Sequence, residues 1–587
     1  MTLALTGYAV TRGIAIGRCH KFERNELSIG EYRVGKDKVE AEILRYREAV
    51  EAAREQLEQT AARTMKNVGI PAGEIIQTHI VMLNDARIKE ATEDRIRERL
   101  CNAEWALQLE LEHILEEFRS VEDPYIRSRA EDVVQVVRLV QNKLNEEAAG
   151  KPFEDIPDRL AERLVIASEL TPGELVVLHE RGVAGIVTEH GGPHSHTAIL
   201  ANSLGVPAVV GVRRAHNLLR EGETLVLDGR IGVVYADPDE AIRAHYHQVQ
   251  RDTRRFRESL QAIRDLPATS IDGQSISLQA NAERPEELAQ AKESGATAIG
   301  LYRTEFLYLR GSPPEEEAQL AVYAAAVKAL DGLPLTIRTL DLGADKSSDS
   351  TEFAELRLSM NPALGLRAVR LCLRDTDLFK VQLRAILRAS ALGPVRCLIP
   401  MLTSLQEVRM VHTLLDEARE ELEQRGQAYD QKIQLGGMIE VPAAALAIQD
   451  LAQHLDFISV GTNDLLQYAL AADRLDEQVA HLYELEHPGV VRLLQYILRE
   501  AEAARLPATI CGEVAGDRRY TRLLLALGLK QFSMAPGRLL EVKQVVRETD
   551  IPRARAALTR WLGDAAQRQD TLSLLNALDD SQITRQA

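Results

Sequence analysis

The stretch LDFISVGTND, residues 455–464, decides how the C-terminal half of the chain is read. An apolar run of strand length stops at Gly461, and Thr462, Asn463 and Asp464 set three polar groups at its end. Seven further segments share that texture: SISLQAN (275–281), TAIGLYR (297–303), LPLTIRTLD (333–341), VRCLIPML (395–402), IQLGGMIEVP (433–442), PATICGEVAG (507–516) and KQFSMAP (530–536). Helical patterns such as SLQEVRMVHTLLDEAREELEQRG separate them. Strand followed by helix, eight times over about 300 residues, predicts a closed parallel (β/α)8 TIM barrel. A doubly wound open sheet is the alternative, and the count of eight favours the barrel. The active face of such a barrel lies at the C-terminal ends of its strands.

Those ends carry polar residues that packing alone does not require. The second strand runs into Arg303 and Glu305, and the third into Arg338 and Asp341, followed by Gly343, Asp345 and Lys346. The fifth ends at Glu440, and the sixth at Asn463 and Asp464, with Asp473 and Arg474 close behind. The seventh ends at Cys511, Gly512 and Glu513. Arg303, Arg338 and Arg474 offer planar donor forks suited to phosphate and carboxylate. Glu440 and Asp464 are hard oxygen ligands, and two carboxylates plus substrate oxygens and water make a usual cage for Mg2+. Cys511 is a weak acid, protonated near neutral pH, that can deliver a proton. Any one of these alone reads as a rim salt bridge; together they predict a site for a small, highly charged anion. Structural ion pairing is at least as good an account of Asp341, Asp345 and Glu513.

The N-terminal part is organised differently. ALTGYAVTRGIAIGRCHKF reads as an opening strand punctuated by Gly13 and Gly17. Val39, Ile43, Tyr46, Val50, Ala53 and Leu57 then recur at helical spacing, and further helical stretches follow Pro71 and Pro124. This predicts a helical bundle. From residue 163 to 237, the runs RLVIA, LVVL, GIVT, PAVVG, TLVLDG and GVVYADP read as short strands of a compact α/β unit. If the opening strand pairs into that unit, the bundle is an insertion. Residues 239–264 read as a charged connecting helix with little apolar face.

A second candidate site lies in this unit. GIVTEH runs into Gly191-Gly192-Pro193-His194-Ser195-His196-Thr197, and a helix follows. Two glycines admit a ligand close to the backbone, and the helix N-terminus suits a phosphoryl group. A neutral imidazole there is a nucleophile toward phosphorus. A metal site built on the histidines is the weaker reading, because His190 alone could supply a third ligand.

The chain has 587 residues and a net charge of −17, from 71 Lys and Arg against 88 Asp and Glu. That balance argues against a general nucleic-acid or membrane-surface binder. No apolar run has the length of a membrane span, and MTLALTGYAV lacks the marks of a secretory leader. Five scattered cysteines, with no CxxC pair, suit a reducing cytoplasm.

Taken together, these residues resemble the phosphoenolpyruvate-utilising enzymes, and most of all the Enzyme I branch of the bacterial phosphotransferase system. The most specific segments are GLYRTEFLY (300–308), IRTLDLGADK (337–346), NPALGLRAVR (361–370), MIEVPAAA (438–445), SVGTNDLLQYALAADR (459–474) and CGEVAGD (511–517). The resemblance covers essentially the whole chain. It implies a phosphohistidine swivelling α/β domain over 1–21 plus 146–238, and a helical HPr-binding domain over 22–145. It further implies a linker helix over 239–264, a phosphoenolpyruvate-binding TIM barrel that dimerises over 265–575, and a tail over 576–587. It makes His196 the phosphoryl acceptor and Cys511 the proton donor. Arg303, Arg338, Asn463, Asp464 and Arg474 would bind phosphoenolpyruvate, and Glu440 and Asp464 would hold Mg2+. The implied cycle moves the phosphoryl group from phosphoenolpyruvate to His196 and then to a histidine of the carrier HPr, in the cytoplasm, in a homodimer.

Three positions depart from the family pattern. His194 stands where Thr is usual, Asn202 stands where Arg follows Ala, and Ala344 replaces the second Gly of Gly-Gly-Asp-Lys. The missing Arg removes a cation that could steady the phosphoryl group. The nearest rival, a phosphoenolpyruvate synthase or pyruvate phosphate dikinase, needs a nucleotide-binding domain, and the helical segment shows no Gly-rich phosphate loop. A regulatory phosphoprotein without transfer is the second rival, and a full set of acids and arginines argues against it.

Overall fold

The computed structural model describes residues 2–11, 13–22, 30–67, 70–120, 130–145, 160–192, 195–308, 313–342, 361, 363–473, 478–564 and 571–580. The chain divides into two compact units, Met1–Arg254 and Arg255–Ala587.

The first unit is built on one mixed sheet. Its strands are β1 (Leu3–Thr6), β2 (Tyr8–Ala9), β3 (Ile14–Lys21), β4 (Arg163–Ala167), β5 (Gly185–Thr188), β6 (Ala208–Val210), β7 (Thr224–Asp228) and β8 (Val233–Ala236). Their order is β1-β8-β7-β3-β4-β5-β6-β2. The opening segment is thus three strands rather than one. It breaks at Gly7, where a Cβ would stand 2.5 Å from the Val210 carbonyl. β3 pairs in parallel with β4, Cys19 opposite Leu164, so the sheet draws on both sides of the helical segment.

Alternation along β4 builds two cores. Val165 and Ala167 pack with Leu175, Leu178 and Leu200, whereas Leu164 and Ile166 pack with Leu225, Leu227 and Val234. One strand expectation fails here. LVVL (175–178) lies in the helix Pro172–Glu180. The preceding Thr171 and Glu174 form a reciprocal capping box with Pro172 in the first turn, and that start signal outweighs a short β-branched run.

Between β3 and β4 run the helices Val39–Asn67, Ile70–Leu83, Ala86–Arg99, Ala103–Ser120 and Ala130–Leu144. The expected seam is present: Val39, Ile43, Tyr46, Val50 and Ala53 are buried, and Leu57 packs against their cluster. Tyr46 Oη donates to the Ile88 carbonyl at 2.6 Å, so this buried phenol is satisfied. The connecting stretch forms the helix Glu240–Ala262.

The second unit is a closed barrel of eight parallel strands, as expected. They are β9 (Ser277–Ala282), β10 (Ile299–Tyr302), β11 (Leu335–Arg338), β12 (Val395–Ile399), β13 (Gln434–Ile439), β14 (Phe457–Val460), β15 (Ala508–Ile510) and β16 (Gln531–Met534). β16 closes onto β9, with Phe532 opposite Leu278. Leu301, Leu398, Met438, Phe457 and Cys511 form a small apolar cluster separate from the main core. They come from five different strands or strand ends, so they meet only inside the barrel, as a plug between its two mouths. Gly436 makes room for the plug, since a Cβ there would stand 2.3 Å from the Phe457 ring. Among the described residues no helix is long and apolar enough to cross a membrane.

Candidate active site

Above the plug, at the C-terminal ends of the strands, the barrel is ionic. Arg338 closes β11 with its side chain 8% exposed. One Nη bonds Glu305, and the other lies 3.0 Å from Asp341 Oδ2. Its Nε is buried without a partner among the described residues. Burial works against the Arg338 charge, but Glu305, Asp341 and Glu440 outweigh it and raise the guanidinium's pKa.

Arg367 is the residue that strand-end reasoning does not single out. It sits in the long connection after β11, just before the helix Ala368–Arg374, and is buried. Its Nη2 lies 2.9 Å from Asp341 Oδ1 and 3.4 Å from Asp464 Oδ2. Asp341 is therefore held between two arginines, and Arg367 ties it to the sixth strand end. The only sequence signal was its place inside NPALGLRAVR. Arg303 is ion-paired with Glu283 and about two-fifths exposed.

Glu440 is buried at the end of β13. Its Oε1 accepts the Met401 N–H at 2.6 Å. Met401 has φ +58°, a conformation that a bulky residue adopts at a cost and that here aims its N–H at the carboxylate. Oε2 faces Gly461, where a Cβ would come within 2.6 Å. Among the described residues Glu440 has no cationic partner at ion-pair distance. Burial, and then Asp464 and Asp341, push its pKa up to about 8. Asp464 stands in the first turn of the helix Thr462–Leu470.

A buried carboxylate beside a second one, with its Oε2 making no hydrogen bond among the described residues, fits a divalent cation. Among the described residues no group of three or more metal-ligating side chains gathers. An ion held by Glu440 and Asp464 would therefore draw its other ligands from substrate and water, the habit of Mg2+.

Cys511 follows β15 and is 3% exposed, with Sγ 3.6 Å from the Val460 carbonyl. Burial pushes its thiol pKa up; the Ser459 hydroxyl and the charges of Arg338 and Arg303 oppose this, while Glu440 adds to it. Asn281 Nδ2 holds the Cys511 carbonyl at 2.9 Å. Asn463 is fixed by Glu513, whose N–H donates to Asn463 Oδ1 at 3.1 Å. The turn is close because residue 512 is glycine: a Cβ there would stand 1.8 Å from Thr462 Oγ1. The barrel thus brings Arg338, Asp341, Arg367, Glu440, Asp464 and Cys511 to one mouth. Arg474 and the expected 343–346 segment lie outside the described residues.

In the first unit, Ser195 caps the helix His196–Ser203, its Oγ accepting the Ala198 N–H at 3.3 Å. His196 is the first residue of that helix. Gly191 has φ +102°, which only glycine adopts freely. Asn202 is exposed on the same helix. His194, Pro193 and the His196 side chain lie outside the description.

Three family models match the chain: the PEP-binding domain of PEP-utilising enzymes over 257–551, their N-terminal domain over 6–129 and their mobile domain over 161–232. The chain belongs to the PEP-utilising enzyme family. Among its relatives is the phosphoenolpyruvate-protein phosphotransferase of Cupriavidus necator, 41% identical over 93% of this chain and 94% of that one. The proteins of that name from Listeria innocua and Haemophilus influenzae are 36% and 34% identical. They cover 94% and 98% of this chain, and it covers 95% and 98% of them. An NMR solution structure of Enzyme I (nEIt) is 29% identical, covering 43% of this chain and 99% of its own, at a TM-score of 0.36. Family membership makes this PEP-utilising protein an enzyme of the phosphotransferase class.

Proposed function

We propose that this chain takes the phosphoryl group of phosphoenolpyruvate onto His196 and passes it to a histidine of an HPr-type carrier protein, releasing pyruvate. The observation that carries the reading is the clamp at the barrel mouth: two buried arginines, Arg338 and Arg367, share Asp341 beside the Glu440–Asp464 pair. Phosphoryl transfer gains chiefly from fixed charges around the moving group. Arg303, Arg338 and Arg474 would bind the phosphate and carboxylate, and Asn463 would orient the substrate. Mg2+ on Glu440 and Asp464 would neutralise charge on the substrate oxygens.

His196 attacks phosphorus through a ring nitrogen; the bond to the enol oxygen breaks and the enolate is left behind. The Cys511 thiol then gives its proton to the enolate carbon, forming pyruvate. Its raised pKa keeps that proton in place at neutral pH. The functional division follows: 1–21 plus 146–238 carries the phosphohistidine, 22–145 docks the carrier, and 239–264 is the hinge. Residues 265–575 bind phosphoenolpyruvate and dimerise, followed by a tail over 576–587. The enzyme works in the cytoplasm, on the first step of sugar uptake or its regulation.

The test is labelling. Wild type incubated with phosphoenolpyruvate carrying labelled phosphorus, with Mg2+, takes up label; His196→Ala takes up none. Label on His196→Ala at wild-type stoichiometry would overturn the assignment.

A further inference from the structure

The opposite end of the barrel holds a cavity of about 260 Å³, lined among others by Arg396, Gln279, Gln531, Ser277, Thr297 and Asp456. These residues stand at the N-terminal ends of the strands. Gln434, also in its wall, is six residues before Glu440 on the same strand, so roughly 20 Å separates the two ends at about 3.3 Å per residue. The apolar plug stands between them, and the cavity is no part of the site above.

Among the described residues its wall carries two unmet donors, on Arg396 and Gln531, together with unmet acceptors at Gln279 Oε1 and Asp456 Oδ1. Arg396 is half-buried, its guanidinium 5.7 Å from the centre of the Phe457 ring. Among the described residues it makes no hydrogen bond and no ion pair. Burial pushes its pKa down and no carboxylate pushes it back. An arginine nonetheless stays charged. Gln531 Oε1 already accepts from Gln279 Nε2 and Thr509 Oγ1, both at 3.1 Å. That fixes the amide and leaves Nε2 a donor without an acceptor among the described residues. The one carboxylate in the wall, Asp456, turns Oδ2 to the Leu435 N–H at 2.8 Å.

A half-buried, unpaired guanidinium that shares one cavity with an oriented amide donor is a good arrangement for an oxyanion. We infer that this cavity at the N-terminal end of the barrel binds a small oxyanion, a carboxylate or a phosphate ester, on Arg396 and Gln531. A cavity of about 260 Å³ falls below the roughly 300–1,000 Å³ of drug-sized ligand sites, so the ligand is a small metabolite rather than a nucleotide. Stacking on Phe457 leaves the edge of the guanidinium for the anion.

Two measurements on the full-length protein test this. Crystals soaked in selenate should show anomalous selenium density against Arg396, and crystals of Arg396→Gln should lose it. An empty cavity in soaked wild type, or density kept in Arg396→Gln, overturns the inference. In solution, inorganic phosphate and malonate are titrated calorimetrically into wild type, Arg396→Gln and Arg396→Lys. Binding to the barrel mouth is common to all three, so the difference between them reports the cavity. At least one anion should lose a binding event, or bind that event at least about tenfold more weakly, in Arg396→Gln, and Arg396→Lys should lose less. The anion affected more identifies the ligand's head group. Identical isotherms for both anions in all three proteins overturn the proposal.

Discussion

The guanidinium of Arg367 lies 2.9 Å from Oδ1 of Asp341, and both side chains are buried. Because Asp341 also meets Arg338, removing Arg367 loosens the whole clamp. Breaking a buried charge pair by removing one partner costs about 3–5 kcal/mol. Arg367→Gln is expected to lower stability in that range and turnover by about a hundredfold or more. Calorimetric unfolding and pyruvate release measure the two. An unchanged melting temperature with unchanged turnover would remove Arg367 from the account.

Glu440 gives a pH signature. Its pKa, raised to about 8, means that a cation must displace a proton near neutral pH. Affinity for Mg2+ should therefore rise as pH is raised towards 8 and level off above it, read by titration calorimetry in buffers of different ionisation heat. In the metal-free protein the sign for stability is the opposite. A carboxyl whose pKa is higher folded than unfolded contributes most below about 4.3, and that contribution is lost as pH rises through 8.

Cys511→Ala should leave substrate affinity near wild type and slow pyruvate formation by about 10²–10⁴, the usual scale for losing a positioned acid. Since burial raises the thiol's pKa above its ordinary value, the wild-type rate should not fall as pH passes 8.5 on account of this group. A rate that drops there in wild type and not in Cys511→Ala would count against the role.

Gly512 is a steric requirement. A Cβ at this position would stand 1.8 Å from Thr462 Oγ1 and 3.0 Å from Asn463 Oδ1. Gly512→Ala should cost about 1–3 kcal/mol of stability and displace Asn463. Thr462→Ser paired with it would not rescue, because the hydroxyl remains; Thr462→Ala should recover part of the loss.

Asn202, where the resemblance implies Arg, is exposed on the helix that begins at His196. Asn202→Arg places a cation on that helix. It is expected to raise the rate of His196 labelling several-fold with no change in melting temperature beyond a surface substitution's usual ±0.5 kcal/mol. Rapid-quench labelling reads this directly.

The strands of the barrel were legible because each is a short apolar run with turn residues on both sides and a helical pattern after it. The seam from Val39 to Leu57 was legible for the same reason, a strict period. What the sequence did not disclose is pairing. Strand-end logic finds Arg338, Glu440 and Asp464, but it cannot say that Asp341 is shared by two arginines. Arg367 lies in a connection, outside any periodic element, and is found only when the chain closes. The left-handed Met401 is equally silent, since nothing in Pro-Met-Leu announces φ +58°. LVVL misled because four apolar residues fit either a strand or a buried helix turn, and Thr171 and Glu174 decided it.

The most direct test of the central claim is to locate the phosphate by mass spectrometry after the wild-type chain has reacted briefly with phosphoenolpyruvate and Mg2+, under conditions that preserve phosphohistidine. The account predicts a single modification on the peptide carrying residues 191–203, with fragment ions placing it on His196. Phosphate on His194, on any residue outside that peptide, or on none would contradict it.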